Sequence, residues 1–278
     1  MRIFITLLIF IVMSMDNANA QNGKYAEVNG LHMYYEEYGK GSPLVLIHGA
    51  ASTVQTSYGR LIPELSKTHR IIGVEMQAHG HSDNRDGRPI SFEQDAADVV
   101  ELLRQLHIEK ADFFGFSNGG TTALEIAIHH PTLVGRLVFA SSMYKRSGCA
   151  PAFWQGFGNA RFEDMPEIYK KVFLSVNPSP ASLKIMFDQC VQRMQKFTDI
   201  PDSSVQAIQA KTLIILGDHD VPLVEGALAM YRLIPHASLA VFPGGHGGYM
   251  GEIASWKEED GPPVALPLIS QFLRLKNQ

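Results

Sequence analysis

The chain has 278 residues, of which 45% are hydrophobic and 19% are charged, so it has enough apolar side chains for a sizeable packed core. This composition excludes an intrinsically disordered chain, and the length is typical of one large α/β domain. The formal net charge is −4, from 24 basic and 28 acidic residues without a basic block, so no nucleic-acid partner is expected.

The first twenty residues have the layout of a secretory signal peptide. Arg2 gives a positive start, residues 3–13 are almost wholly apolar, and Ala18-Asn19-Ala20 matches a small-x-small cleavage site. The apolar stretch is too short to span a bilayer comfortably. We therefore expect cleavage after Ala20, export to the periplasm or the medium, and no stable membrane span in the mature chain. The alternative is an uncleaved N-terminal anchor.

Strand and helix patterns alternate along most of the remaining chain. Residues 25–38 alternate around Asn29-Gly30, which predicts an antiparallel hairpin at a sheet edge. Further strands are predicted near 44–47, 70–75, 111–116, 136–141, 212–216 and 238–242. Helices are predicted near 55–66, 91–106, 118–130, 223–234 and 264–275. This order predicts an α/β fold with a mostly parallel sheet and helices on both faces.

The alternation stops between residues 144 and 209. This region has no strand-like run, and prolines separate short amphipathic stretches, so we predict a cap of about four helices. The cap divides an α/β core formed by residues 21–143 and 210–278, and it is expected over the carboxyl ends of the strands, where open α/β sheets bind ligands. Cys149 and Cys190 both fall in the cap region. A disulfide and two unpaired buried thiols are both compatible with this spacing.

One serine lies between two glycines after a strand and before a helix. The five residues are Gly115-Phe116-Ser117-Asn118-Gly119. Such a sharp turn strains the serine backbone and exposes its hydroxyl, while the flanking glycines relieve the crowding. The N–H groups that begin the helix point to the position where an oxyanion would form. The context therefore predicts a nucleophilic serine.

A serine nucleophile needs a base, and the base needs a carboxylate that fixes its tautomer. Asp218-His219-Asp220 directly follows the strand predicted near 212–216, and His246 lies among four glycines after the strand near 238–242. The order serine, aspartate, histidine is the one expected for this type of turn. Near the N-terminus, Ala50 follows a strand and His48-Gly49, so its N–H is expected to form the oxyanion hole with that of Asn118.

These motifs resemble those of the α/β-hydrolase fold family, in its capped, carboxylesterase-like form. The resemblance extends from about residue 25 to the C-terminus and rests on five segments: His48-Gly49, Gln77-Ala78-His79-Gly80-His81-Ser82, the serine turn, Gly217-Asp218-His219-Asp220 and Gly245-His246-Gly247. It implies an eight-stranded sheet and the following roles: Ser117 as nucleophile, Asp220 as acid, His246 as base, and Ala50 with Asn118 as oxyanion hole. Asp220 is preferred to Asp218 because it stands three residues after Gly217, the family's usual spacing.

The expected activity is hydrolysis of a small or medium-sized apolar carboxylic ester through an acyl-enzyme, without a cofactor or a metal. The residues expected to line the substrate pocket are Phe116, Met143, Tyr144, Trp154 and Met250. One alternative is another bond type on the same triad, namely a lactone, an amide or a C–C bond. A C–C hydrolase should bind a substrate carboxylate, for which the cap offers Arg146, Arg161 and Arg193. A small-molecule receptor with a slow triad is a further alternative. The sequence predicts no particular oligomeric state.

Overall fold

The computed structural model describes residues 23–274, so the predicted signal peptide (residues 1–20) lies outside the described residues. Within that range the chain forms eight strands: β1 (Gly23–Val28), β2 (Leu31–Tyr38), β3 (Ser42–Ile47), β4 (His69–Val74), β5 (Ala111–Phe116), β6 (Val134–Ala140), β7 (Lys211–Gly217) and β8 (Ala237–Phe242). The α-helices of the same range are α1 (Val54–Tyr58), α2 (Ile62–Leu65), α3 (Phe92–Gln105), α4 (Asn118–His129), α5 (Pro151–Gly158), α6 (Glu167–Val176), α7 (Pro180–Gln195), α8 (Asp202–Gln206), α9 (Val224–Leu233) and α10 (Leu266–Arg274).

The eight strands form one sheet in the order β1-β2-β4-β3-β5-β6-β7-β8. The pairs β1–β2 and β2–β4 are antiparallel, and every other neighbouring pair is parallel. Asn29 and Gly30 have φ values of 50° and 78°, which the tight hairpin between β1 and β2 requires. The predicted α/β-hydrolase fold with a mostly parallel eight-stranded sheet is therefore confirmed.

Alternate residues of the central strands enter two separate cores, one on each face of the sheet. Val45 and Ile47 of β3 pack in the first core with side chains of α3, α4 and α9. Leu44 and Leu46 of the same strand pack in the second core with side chains of α1, α2 and α10. A parallel strand with both faces covered by helices is apolar at successive positions, as β3 is. The carboxyl ends of these rigid strands position the loops described below.

Helices α5 to α8 lie between β6 and β7, in the region predicted as the cap. They contact loops at the carboxyl ends of the strands. The Gln189 amide donates to Asn84 Oδ1 in the loop after β4, and the Tyr169 hydroxyl donates to Glu252 Oε1 beyond β8. Across residues 23–274, every helix is too short or too polar to traverse a bilayer.

Candidate active site

Ser117 occupies a strained turn between β5 and α4. Its φ and ψ are 53° and −123°, values that a side-chain-bearing residue adopts only when the surrounding structure imposes them. A Cβ atom added at Gly115 would lie 2.2 Å from the Gly119 carbonyl oxygen, and one added at Gly119 would lie 2.0 Å from that of Ile47. Two glycines are therefore required where the turn folds back on itself and on the end of β3.

The structure brings the three predicted catalytic side chains together. His246 Nδ1 lies 2.6 Å from Asp220 Oδ1, and His246 Nε2 lies 3.1 Å from Ser117 Oγ. Since Asp220 is an acceptor, Nδ1 carries the ring proton, and Nε2 is left to accept the serine hydroxyl. The Asp220 side chain is fully buried, whereas that of His246 is 26% exposed. The imidazole ring therefore contacts the buried carboxylate on one side and is accessible to solvent on another.

The Asp220 carboxylate accepts four hydrogen bonds. Besides His246, its donors are the Gly217 N–H at 2.9 Å, the Val221 N–H at 2.6 Å and the Ser141 hydroxyl at 2.5 Å. Burial alone would raise the pKa of Asp220, but these bonds outweigh it and lower the pKa below its ordinary value. The group is therefore held as a carboxylate.

Asp218, the other aspartate after β7, has a different partner. Its Oδ1 accepts the Gly244 N–H at 2.8 Å, in the loop that carries His246. Backbone bonds from Asp218 to Phe242 and from His219 to Gly244 hold the same loop against the end of β7. The geometry thus gives Asp220 the position of the acid and leaves Asp218 as a contact that orders the base-bearing loop.

The predicted oxyanion loop, residues 48–51, is ordered by a buried histidine. His48 Nδ1 donates to the Gly49 carbonyl at 2.7 Å, and its Nε2 accepts the Met76 N–H at 3.1 Å. Burial lowers the pKa of His48 to about 4, so the ring is neutral at physiological pH, as these two bonds require. Asn118 begins α4, and its N–H is one of those that have no acceptor inside the helix. His48, Gly49 and Asn118 line one small cavity, so the loop and the serine turn border the same space.

The predicted pocket residues fall into two groups. The Phe116 ring lies 4.8 Å from the His246 ring, and Met143 and Trp154 belong to one apolar cluster beneath the cap. Tyr144 packs in the first core and Met250 in the second, where Met250 is fully buried. Phe116 belongs to the second core as well, so three of the five predicted pocket residues pack in the two cores and two pack in the apolar cluster.

A groove and a small cavity border the cap. A groove of about 500 Å³ runs between α3, α4 and residues 192–204, and its lining includes none of the three predicted catalytic residues. The small cavity beside Asn118 also receives Thr122 and Arg193. Asn118 Nδ2, Thr122 Oγ1 and Arg193 Nε are buried there without a hydrogen-bond partner among the described residues. The cavity is too small to hold a water molecule, so these three polar atoms stay unsatisfied in this arrangement.

The two cysteines are both buried and unpaired. Cys149 Sγ lies 3.3 Å from Met143 Sδ, whereas Cys190 Sγ lies 3.4 Å from His79 Nε2. Of the two arrangements open from the sequence, the structure contains the free thiols. Within residues 23–274, no three side chains of histidine, cysteine, aspartate or glutamate converge in a way that would hold a metal ion.

Two further residues, one in contact with the acid and one behind it, were not singled out from the sequence. Ser141 directly follows β6 and donates to Asp220, and the Tyr249 hydroxyl lies 2.7 Å from Ser141 Oγ. The only local signal was the position of Ser141 at the carboxyl end of a strand beside the one that leads to Ser117. Tyr249 had no sequence signal beyond its closeness to His246.

A family model described as the alpha/beta hydrolase fold matches residues 42–180. The chain therefore belongs to the α/β hydrolase family, and it is a hydrolase. It is 26% identical, over 93% of its own length and 99% of the relative, to a 2-hydroxy-6-oxo-2,4-heptadienoate hydrolase of Pseudomonas putida. It is 26% identical to the serine hydrolase BPHL of Homo sapiens, over 71% of this chain and 69% of that protein.

Solved structures give the same fold. A meta-cleavage product hydrolase from Pseudomonas fluorescens IP01 superposes with a TM-score of 0.75 at 24% identity, covering 90% of this chain and 97% of the other. An enol-lactonase from Burkholderia xenovorans LB400 superposes with a TM-score of 0.71 at 21% identity, covering 91% of this chain and all of the other. At these identities the likeness concerns the fold alone.

Proposed function

We propose that the protein hydrolyses a small or medium-sized carboxylic ester through an acyl-enzyme on Ser117. The observation that carries this proposal is the continuous hydrogen-bonded series from Asp220 through His246 to Ser117, with distances of 2.6 Å and 3.1 Å. The nucleophile, the base and the group that orients the base each come from the end of a different strand. Such an arrangement suits acyl transfer by a serine hydroxyl.

In this mechanism Ser117 Oγ attacks the ester carbonyl while His246 Nε2 accepts its proton. Asp220 holds the ring by its Nδ1–H and stabilises the imidazolium that forms. The backbone N–H groups of Asn118 and Ala50 stabilise the oxyanion, and each such donor is typically worth about 3 kcal/mol. His246 then gives the proton to the leaving alcohol, and a water activated by the same ring releases the acid.

Apolar surroundings support an apolar substrate. Phe116 packs against the base, and the apolar clusters that include cap residues contain aromatic and methionine side chains. Of the predicted pocket residues, Met143 and Trp154 belong to one of these clusters. An acyl or alcohol group of moderate size would bury apolar surface against them.

A C–C bond hydrolase is the second candidate, because relatives at 26% and 27% identity are named for cleaving dienoate and semialdehyde compounds. A substrate carboxylate would need a free cation beside the triad. Arg161 is exposed and paired with Asp164, and Arg146 stacks on Trp154. Arg193 does reach the cavity beside Asn118, but its guanidinium is paired with Asp95 at 2.6 Å. Arg193 Nε has no hydrogen-bond partner among the described residues, so Arg193 is the residue of these three that would hold a substrate carboxylate in this second candidate.

The test uses the purified mature chain and its Ser117→Ala variant. The wild type should turn over short-chain nitrophenyl esters far above background and be labelled by a fluorophosphonate, and the variant should do neither. Turnover or labelling that persists in the variant would contradict the role of Ser117. A parallel panel of lactones, amides and a ring-fission dienoate distinguishes the bond types. Preference for the dienoate over every ester would overturn the ester assignment and leave the triad in place.

We also propose that the chain is exported, with cleavage after Ala20. The proposal rests on the charged start, the apolar stretch and the small-x-small site of the first twenty residues. Recovery of a mature chain that begins at Gln21 from the periplasm or the medium of a bacterial host would support it.

A further inference from the structure

Asp220 is contacted by a serine whose backbone is strained. Ser141 has a φ of 47°, in the left-handed region that a residue with a side chain seldom occupies. Its N–H donates to the Ile215 carbonyl at 2.8 Å, which fixes the residue between the ends of β6 and β7. The side chain is 1% exposed, so its hydroxyl is removed from water and directed into the protein.

The hydroxyl of Ser141 has one hydrogen and two oxygen neighbours. Asp220 Oδ2 at 2.5 Å is a carboxylate oxygen and accepts only, so the serine hydrogen lies on that side. The Tyr249 hydroxyl at 2.7 Å is then left to donate to Ser141 Oγ, or to the Ile215 carbonyl at 3.2 Å. Tyr249 is itself buried and stacked on Phe242, with ring centroids 5.3 Å apart.

This arrangement has features of a functional contact. Backbone strain of this kind is retained where the surrounding structure imposes it, and it clusters at active sites. The adjacent Ser142 hydroxyl lies 3.0 Å from Thr121 Oγ1 and shares none of the contacts with Asp220. The strained serine therefore holds the acid, and its neighbour does not.

We propose that Ser141, supported by Tyr249, is a positioning residue that fixes the rotation of the Asp220 carboxylate and keeps it ionised. Ser141 and Gly217 hold Oδ2, which leaves Oδ1 directed at His246 Nδ1. The inference rests on the proposed function, because it assigns Asp220 to the triad. The titratable groups that face Asp220 are His246, Tyr249 and the thiol of Cys149 from the start of the cap.

The experiment compares Ser141→Ala with Ser142→Ala, a matched removal of the neighbouring hydroxyl. In Ser141→Ala we expect kcat to fall on the order of 10-fold, the loss expected for a hydrogen bond to a charged group, with little change in KM. The Ser141 hydroxyl helps to lower the pKa of Asp220, so its removal raises that pKa. The acid side of the kcat/KM profile, which reports the essential base and its carboxylate partner as one coupled pair, should then move to higher pH. Tyr249→Phe should change kcat and the acid side of the profile in the same directions but by less. Ser142→Ala should change neither kcat nor the profile.

A strain-free variant separates the hydroxyl from folding. Ser141→Gly accepts a φ of 47° without penalty and lacks the hydroxyl, so it should show the same pH shift as Ser141→Ala. Wild-type profiles in both variants would overturn the inference, as would equal losses in Ser141→Ala and Ser142→Ala without a pH shift.

A second readout does not depend on ester turnover. The proton between His246 Nδ1 and Asp220 should give a far-downfield proton NMR signal. As the pH is lowered, this signal should disappear at a higher pH in both Ser141 variants than in the wild type. If the wild type hydrolyses no ester, the proposed function fails while this signal still tests Ser141. An unchanged pH of disappearance would contradict the positioning role.

Discussion

At the scale of single residues, the serine turn depends on the absence of a side chain at Gly119. The Gly119 Cα faces the end of β3 so closely that an added Cβ would lie 2.0 Å from the Ile47 carbonyl oxygen and 2.6 Å from that of His48. Both neighbours are backbone atoms, so a side chain there displaces the strand end itself. The contact joins the serine turn to the oxyanion loop, because His48 begins that loop.

Gly119→Ala should therefore cost both stability and activity. We expect the free energy of unfolding to fall by about 3 kcal/mol, the upper range for overpacking, because backbone rather than a flexible side chain must move. The control is Gly156→Ala in α5, where an added Cβ meets nothing within 4 Å. That change should stabilise by about 0.5–1 kcal/mol. Urea unfolding of both variants checks the pair, and equal stabilities would show that the close approach is not rigid.

The buried histidine of the oxyanion loop makes stability depend on pH. Burial is the main cause that lowers the pKa of His48 from 6.5 to about 4. Between these values the unfolded chain binds a proton that the folded protein does not. The His48 contribution is therefore fully present above pH 6.5 and is lost as the pH falls toward 4.

The comparison of wild type with His48→Asn isolates this group. Asparagine keeps an N–H donor for the Gly49 carbonyl but does not titrate. Between about pH 6 and about pH 4.5, the wild type should lose on the order of 1.4 kcal/mol of unfolding free energy per pH unit more than the variant. Chemical unfolding at several pH values measures the difference. Parallel pH profiles would mean that the ring is protonated in the folded protein.

The sequence predicted some residues of the site and not others, for physical reasons. Ser117, Asp220 and His246 each follow a strand at a glycine-rich turn, and that local chemistry is readable. Ser141 contacts the acid from a backbone with a positive φ, and Tyr249 contacts Ser141 from a position 108 residues away along the chain. Neither feature leaves a local pattern in the sequence. The assignment of catalytic roles to these residues stays a prediction until the variants are measured.

At the scale of secondary structure elements, the strands and helices of the core could be predicted because their apolar residues recur at regular spacing. The predicted helix near 55–66 is in fact two short helices, Val54–Tyr58 and Ile62–Leu65. Pro63 explains the difference, since it lacks an N–H for a continuous helix but suits the first turn of a new one. The cap helices were predicted only as a group, because their bounds depend on contacts with the core.

Helix α7 is attached to the core by a buried ion pair. Arg193 on α7 and Asp95 in the first turn of α3 are 2.6 Å apart, with side chains 4% and 2% exposed. The guanidinium also lies 4.8 Å over the Phe92 ring. Burial raises the pKa of Asp95 to about 6, even though Arg193 opposes this, so the pair is fully ionised only above that pH.

Asp95→Ala should loosen this attachment strongly. At pH 8 we expect a loss of about 3–5 kcal/mol in the free energy of unfolding, because Arg193 is left buried and unpaired. The control is a pair on α7, the helix that carries Arg193. There Lys184 and Asp188 form a half-exposed ion pair at 2.6 Å. Asp188→Ala should change stability by no more than about 0.5 kcal/mol. If both changes cost the same, water reaches the Arg193 pair and the cap is not anchored there.

At the scale of the whole molecule, the two cores account for the fold without a covalent link. Every central strand is covered on both faces, and Cys149 and Cys190 belong to two different apolar clusters beneath the cap. Their thiols therefore pack as small hydrophobic groups. If the proposed export takes place, these thiols stay free in an oxidising compartment only because they are inaccessible.

The thiols should accordingly be unreactive in the folded protein. Burial raises the pKa of Cys149 to about 12 and raises that of Cys190 as well, so neither is a thiolate near neutral pH. Protein recovered from the periplasm should not react with Ellman's reagent until urea is added, and should then release 2 thiols per chain. Ser175→Cys on the exposed face of α6 provides a control thiol that reacts at once. If no thiols are detected in urea, the cysteines form a disulfide on export. This outcome would contradict the two free thiols of the structure.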